Sequence, residues 1–327
     1  MNRIRMLGML VGVGLAMAVL PAMADDYPTR TITMIVPYPA GGPSDVVARI
    51  VADGMSRALG QTIIIENIGG AGGTIGTARV AESNPDGYTI LGASMGSHVS
   101  APALYSNLRY DSTKDFVPIG LTLHAPAAIV ARKDLPANNF KEFVDYLKKN
   151  GDNVKEAHGG IGSSSHMACL LFTSQLGLKP SLVAYRGTGP ALNDVIGGHV
   201  DFFCEQIVSV KGAVKGGALK AFVVSGDERS PALPDVPSAK DVGDPDFGIN
   251  IWSAIFAPKG TPKAAVDKLT DALNKALDDP QLQQRMIELG GTVPDKADRG
   301  PEALASVLKV DIARWNPILK GAVEKTN

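Results

Sequence analysis

Short apolar, β-branched runs alternate along the chain with stretches of helical period, and glycine-rich turns separate them. Residues 31–37 (TITMIVP) read as a strand, Gly41-Gly42 as a turn, and Val46, Val47, Ile50, Val51 and Leu59 as one face of a helix over 46–59. A second strand at 62–66 (TIIIE) leads through Gly69-Gly70 and Gly72-Gly73 into a helical segment at 74–83. A third, 88–93, ends at Ser94-Met95-Gly96-Ser97-His98. The pattern then restarts: strand 127–131, helix 140–149, a Gly/Ser loop at 159–166, helix 167–176, strand 182–185, helix 191–196, and strands 200–203 and 221–225. Near the end, Thr261 is placed to cap a helix with Pro262 at its first position and Val266, Leu269, Leu273 and Leu277 as its apolar stripe. Pro280 opens the next helix, which stops at Gly290-Gly291, and Pro301 opens the last, with Leu304, Leu308, Ile312 and Trp315 on one face.

Strands alternating with helices predict an α/β fold with a mainly parallel sheet and helices on both faces. Residues 116–124 and 249–257 are extended apolar stretches placed to carry the chain out of a first lobe and back. Two crossings predict two lobes around a hinged cleft, with 25–124 and 248–327 in the first and 125–247 in the second. The Pro-rich segment 231–237 reads as a surface loop before the return crossing.

Residues 1–24 break the pattern. Arg3 and Arg5, an uncharged apolar run from Met6 to Leu20, and Ala22-Met23-Ala24 make a secretory signal peptide, too short for a membrane span and closed by Pro21. Cleavage after Ala24 would leave 303 of the 327 residues. Export places Cys169 and Cys204 where a disulfide persists. A bridge would close a loop of about 35 residues and stabilise the fold by roughly 3–4 kcal/mol on the chain-entropy model; two buried free thiols are the alternative. Neither cysteine has a CxxC or CxxxH neighbour, so zinc is unsupported.

With 32 Lys+Arg against 33 Asp+Glu, the chain has no basic excess to attract nucleic acid. Its hydrophobic fraction of 45% supports a sizeable core. The chemistry therefore falls to the loops: 37–45 (PYPAGGPSD), 69–76 (GGAGGTIG), 93–98 (ASMGSH), 159–166 (GGIGSSSH) and 185–190 (YRGTGP). In open α/β sheets ligands sit beyond the carboxyl ends of strands, where helix N-termini present N–H groups to an anion, here a carboxylate above all. A dinucleotide fingerprint fails because Ile75 stands at its last glycine, and no GK[ST] follows the first loop. Residues 162–166 lack the second glycine of a nucleophile elbow, which leaves an exported serine hydrolase with Ser164 and a distant His199 as the competing class. His98, His124, His158, His166 and His199 show no metal-ligand spacing, and no cofactor is expected. His166 after the serines could donate to an anion, Arg186 could pair with a carboxylate, and Asp45 is placed to cap helix 46–59.

Seven ordered segments carry a resemblance: 27–49, 66–76 (ENIGGAGGTIG), 84–91 (NPDGYTIL), the helix after GSSSH, 185–202 (YRGTGPALNDVIGGHVDF), 229–238 (RSPALPDVPS) and 252–262 (WSAIFAPKGTP). Through them the chain resembles the substrate-binding proteins of tripartite tricarboxylate transporters, the Bug family of periplasmic receptors. The resemblance implies a two-lobed, type II periplasmic-binding (Venus-flytrap) fold. It implies a receptor that closes on a small carboxylate and delivers it to the membrane subunits of a transporter; a monomer is expected, and a receptor of the same fold that reports to a sensor kinase is a further alternative. Carried over residue by residue, Tyr38, Ala40, Gly41, Gly42 and Asp45 would face Ser163, Ser164, Ser165 and His166 across the ligand. Ser94, Ser97, Tyr185, Arg186, Thr188, Asp201 and Gln206 are the further positions the motifs mark. Relatives with both cysteines look bridged, which favours Cys169–Cys204. One departure stands out: where the family often has GGSTD, this chain has Gly41-Gly42-Pro43-Ser44-Asp45, and Pro43 removes an N–H donor.

Overall fold

The computed structural model describes residues 27–244 and 246–324, so the 1–24 leader expected from the sequence lies outside the described residues. The apolar run ITMIV forms β1 (Ile32–Val36), almost wholly buried as a central strand must be. After it come α1 (Pro43–Leu59), β2 (Ile63–Asn67), α2 (Thr74–Ala81), β3 (Thr89–Ser94) and the short α3 (Ala101–Leu104). The chain then runs through the 17-residue β4 (Phe116–Arg132). Beyond it lie α4 (Phe140–Asn150), β5 (Lys155–His158), α5 (Ser164–Gln175), β6 (Ser181–Ala184), α6 (Thr188–Ile196), β7 (Phe202–Gln206), α7 (Ile207–Lys215) and β8 (Leu219–Val224). It returns along β9 (Asn250–Pro258) and ends with α8 (Lys263–Leu277), α9 (Pro280–Leu289) and α10 (Pro301–Glu324).

The strand order is β2-β1-β3-β9-β4-β7-β5-β6, with β8 also paired to β4. The outer strands of both lobes pair in parallel, β1 with β2 and β3, and β5 with β6 and β7. The crossing strands pair antiparallel with each other and with β3, β7 and β8, so the sheet as a whole is mixed. The reason is directional, since β4 leaves the first lobe and β9 returns to it. Residues 116–126 of β4 lie against β9, whereas 127–132 lie between β7 and β8, so one strand belongs to both lobes of this two-lobed α/β fold.

The apolar packing is partly shared, since one buried cluster runs from Ile35, Leu91 and Phe256 of the first lobe to Phe143, Phe172 and Phe222 of the second. In the first, Val47, Ile50, Val51 and Met55 of α1 share a core with Val266, Leu269, Leu273 and Leu277 of α8, the stripe read from the sequence. In the second, the Phe143 ring stacks on Phe222 at 4.4 Å and meets Phe202 edge-on at 5.6 Å. Cys169 of α5 and Cys204 of β7 are joined by a disulfide, with Cα atoms 5.1 Å apart. Leu304, Leu308 and Trp315 of α10 are buried, and Trp252 of β9 donates from Nε1 to Asp311 at 2.7 Å.

Two helix starts differ from expectation. α8 begins at Lys263, after Pro262, and the Thr261 hydroxyl turns back to donate to the Pro258 carbonyl instead of capping. α1 begins at Pro43 with Gly42 as its N-cap residue, which puts Asp45 at the third helical position. No described helix is long and apolar enough to cross a membrane.

Candidate functional site

Four strand-to-helix turns meet at one cavity between the lobes. The turn from β1 to α1 contributes Tyr38, Pro39, Ala40, Gly42, Pro43 and Ser44. From the other lobe come Gly159 and Ser163–Ser165 before and within α5, residues 187–190 at the start of α6, and Glu205 and Gln206 between β7 and α7. The cavity encloses about 490 Å³, a figure that includes the open solvent at its mouth. The first N–H groups of a helix have no intrahelical partner and carry its positive end, so several such ends gathered here form an anion site without a cationic side chain. Among the described residues, no Lys, Arg or His lines the cavity.

Local hydrogen bonds fix the walls. Ser163 caps α5 by accepting from the His166 N–H, while the Ser165 hydroxyl accepts from the Gly159 N–H at 2.9 Å. The Tyr38 hydroxyl bonds to Ser94 Oγ at 2.9 Å, and burial raises its pKa to about 12, so it stays a neutral donor. Glu205 is 2% exposed; its Oε2 accepts from Thr188 Oγ1 at 2.6 Å and its Oε1 from the Gln206 N–H at 2.8 Å. Gln206 is equally buried, and its Oε1 has no hydrogen-bond partner.

The lobes touch around this cavity. A Cβ on Gly72, in the loop after β2, would stand 2.0 Å from the Ile161 carbonyl oxygen in the loop before α5. One on Gly96 would stand 2.8 Å from the Ser164 nitrogen, and the Tyr105 hydroxyl donates to Ile161 O at 3.0 Å. The molecule is therefore closed, with backbone against backbone at the rim.

The sequence-derived residues divide into two groups. Tyr38, Ala40, Gly42, Ser163, Ser164, Ser165, Thr188 and Gln206 line the cavity together. Gly41, Asp45, Ser94, Ser97, His166, Tyr185, Arg186 and Asp201 do not. Asp45 accepts from the Gly41 N–H, Arg49 and Asn67, and these partners outweigh its burial and hold its pKa below the usual carboxylate range. It locks the loop at the start of α1 and does not cap the helix. Ser94 backs Tyr38, and Ser97 bonds to Ser94 and to His98 Nδ1. Burial, then the neighbouring His158, push the His166 pKa down to about 3, so its ring is neutral, and its Nδ1 accepts from Gly162 N–H. Tyr185 donates to Asp194, Arg186 is exposed, and Asp201 pairs with Arg132 and the Lys155 N–H.

Pro39, Ser44, Gly159, Gly187, Gly189, Pro190 and Glu205 also line the cavity and were not singled out in the sequence, and Pro43, marked there only as a departure from the family pattern, lines it too. The signal for Glu205 was its place at the carboxyl end of a strand, masked because β7 runs three residues past the expected end. Among the described residues, no hydrogen bond joins the hydroxyl of Ser163, Ser164 or Ser165 to a histidine ring, and no cluster of His, Cys, Asp and Glu is arranged for a metal.

Comparison with known proteins adds the context. The family model described as "Tripartite tricarboxylate transporter family receptor" matches residues 47–322. Among solved structures, MatC (Rpa3494) from Rhodopseudomonas palustris with bound malate is 42% identical, covering 90% of this chain and 100% of that one, with a TM-score of 0.86. The periplasmic binding protein BugD is 43% identical over 90% of this chain and 98% of its own, also at 0.86. Rpa4515 of R. palustris with adipate is 28% identical over 91% and 98%, again at 0.86.

Proposed function

The chain belongs to the tripartite tricarboxylate transporter family of receptors, and from that premise we propose that it captures a small carboxylate between its lobes and delivers it to a membrane transporter. The observation that carries this reading is the convergence of helix N-termini from both lobes on one cavity with no basic side chain in its wall. Each helix end contributes about 0.3–1 kcal/mol to holding an anion, up to about 2 in buried geometry. Three or four ends plus hydroxyl and N–H hydrogen bonds reach the roughly 8 kcal/mol of a micromolar complex. Closure supplies the rest by expelling water and joining the rims, and the closed form is what a membrane partner would recognise. Malate and adipate, bound by two relatives, support small organic acids as the ligand class.

On this reading residues 1–24 direct the chain to the periplasm, 25–124 and 248–327 form one lobe, and 125–247 form the other. The protein works as a monomer. A binding role rather than a catalytic one is supported by relatives that are binding proteins, and among the described residues the His166 ring accepts from the Gly162 N–H and no serine hydroxyl of the 162–166 loop bonds to it. A thermal-shift screen of the refolded protein against organic acids tests this, because a ligand that binds only the folded state raises its melting temperature. The expected result is a rise of several degrees with one chemical class and no product formed. Turnover of the ligand, or no shift with any acid, would overturn it.

A further inference from the structure

The cavity that should hold an anion has an acidic side chain in its wall. Glu205 is 2% exposed, and the described donors to its carboxyl are neutral: the Thr188 hydroxyl and the Gln206 N–H. None of its described partners is a cation, and among the described residues no Lys, Arg or His lines the cavity. A second acceptor lies beside it, since the buried Gln206 Oε1 has no partner. A plain dicarboxylate brings only acceptors and like charge to this corner, and would leave both groups unsatisfied or opposed.

We propose that Glu205 determines specificity by accepting a hydrogen bond from a hydroxyl or ammonium group carried by the ligand, so that this chain prefers hydroxy- or amino-carboxylates to the corresponding plain acids. The inference rests on the carboxylate-receptor reading and names its substrate class. The anionic end of such a ligand faces the helix N-termini at Ser44, Ser164 and Thr188, while its donor turns to Glu205 and Gln206. Burial raises the Glu205 pKa to about 7, and the hydrogen bonds from Thr188 and the Gln206 N–H offset that only in part, so the ionised carboxyl gains from a further partner. A ligand ammonium or hydroxyl supplies one. Adipate, held by the more distant relative, has no such donor, so a donor on the ligand is not a requirement of the fold itself.

The test is isothermal titration of the refolded protein at pH 7.5 with matched sets: succinate, malate and aspartate, then glutarate, 2-hydroxyglutarate and glutamate. A hydrogen bond to a charged group predicts that one donor-bearing member binds about 10- to 150-fold more tightly than its plain counterpart. In Glu205→Gln, which keeps the shape and an acceptor for Thr188, that ratio should shrink at least fivefold. Thermal melting without ligand shows whether the variant folds; if it does not, the wild-type ratios alone decide. Equal affinity for plain and donor-bearing acids, or an unchanged ratio in the folded variant, overturns the role of Glu205 and leaves the carboxylate reading standing. Binding of no acid in a wider panel overturns both.

Discussion

Replacing Gly72 by alanine separates closure from folding. Gly72 has φ +65°, and the added Cβ would stand 2.0 Å from the Ile161 carbonyl oxygen, where ordinary contact begins at 3.4 Å. The obstacle is backbone, not a movable side chain, so the lobes must part to make room. Forcing a methyl into packed surroundings costs about 1–3 kcal/mol, charged here to the closed state alone. Since affinity falls with the population of the competent state, the dissociation constant should rise about 5- to 150-fold. The left-handed backbone adds about 1–2 kcal/mol to folding in either state. Gly60→Ala is the control, because Gly60 has φ +68° with nothing within 4 Å of its would-be Cβ. Titration of the best carboxylate and denaturant melts of both variants provide the assay. Both should lose similar stability, and only Gly72→Ala should lose affinity. Equal affinities in the two variants would refute the claim that contact between the 69–76 and 159–166 loops is part of ligand binding.

Two other expectations follow from the same contacts. The Cys169–Cys204 bond closes a 35-residue loop, so Cys169→Ser/Cys204→Ser should lose about 3–4 kcal/mol in urea melts, and thiol titration of the native protein should find neither cysteine free. Stability should also fall on both sides of about pH 6. Burial raises the Glu156 pKa to about 8, so its stability contribution, complete below its unfolded value, is lost as pH rises through 8. Burial lowers His98 to about 3, so its contribution, complete above its unfolded value, is lost as pH falls toward 3. Relative to wild type, Glu156→Gln should gain a few kcal/mol between pH 5 and pH 8, at about 1.4 kcal/mol per pKa unit; a flat difference would contradict this.

What was legible in the sequence was local. The α8 stripe has the helical period and a proline before its start, and the first loop has glycines between an apolar strand and an amphipathic helix. Ser163 was found because it stands where a Gly/Ser loop gives way to a helix, whereas Thr188 and Gln206 came from the family resemblance alone. Long-range pairing was not legible. β4 contains Pro118, Gly120 and Pro126, which break its local strand pattern, yet pairing with β9, β7 and β8 holds it as one strand, with register shifts near 118–123. α7 was missed because IVSVKGAVK is β-branched and contains Gly212, and its helix depends on burying Ile207, Val208 and Val210. Missing α7 hid Glu205, at the strand end beside it. Asp45 and His166 were the right residue types near the right turns, but burial and partners available only in the fold turned them to bracing those turns.

The most direct measurement is titration calorimetry of protein unfolded and refolded to remove carried-over ligand, against a panel of organic acids and the amides of the same acids. One acid should bind at one site per chain with a dissociation constant of about a micromolar or below, and its amide should bind at least tenfold more weakly, because gathered helix N-termini favour the charged group. Amides binding as well as the acids, or neither binding, would contradict the assignment of this cavity as a carboxylate site.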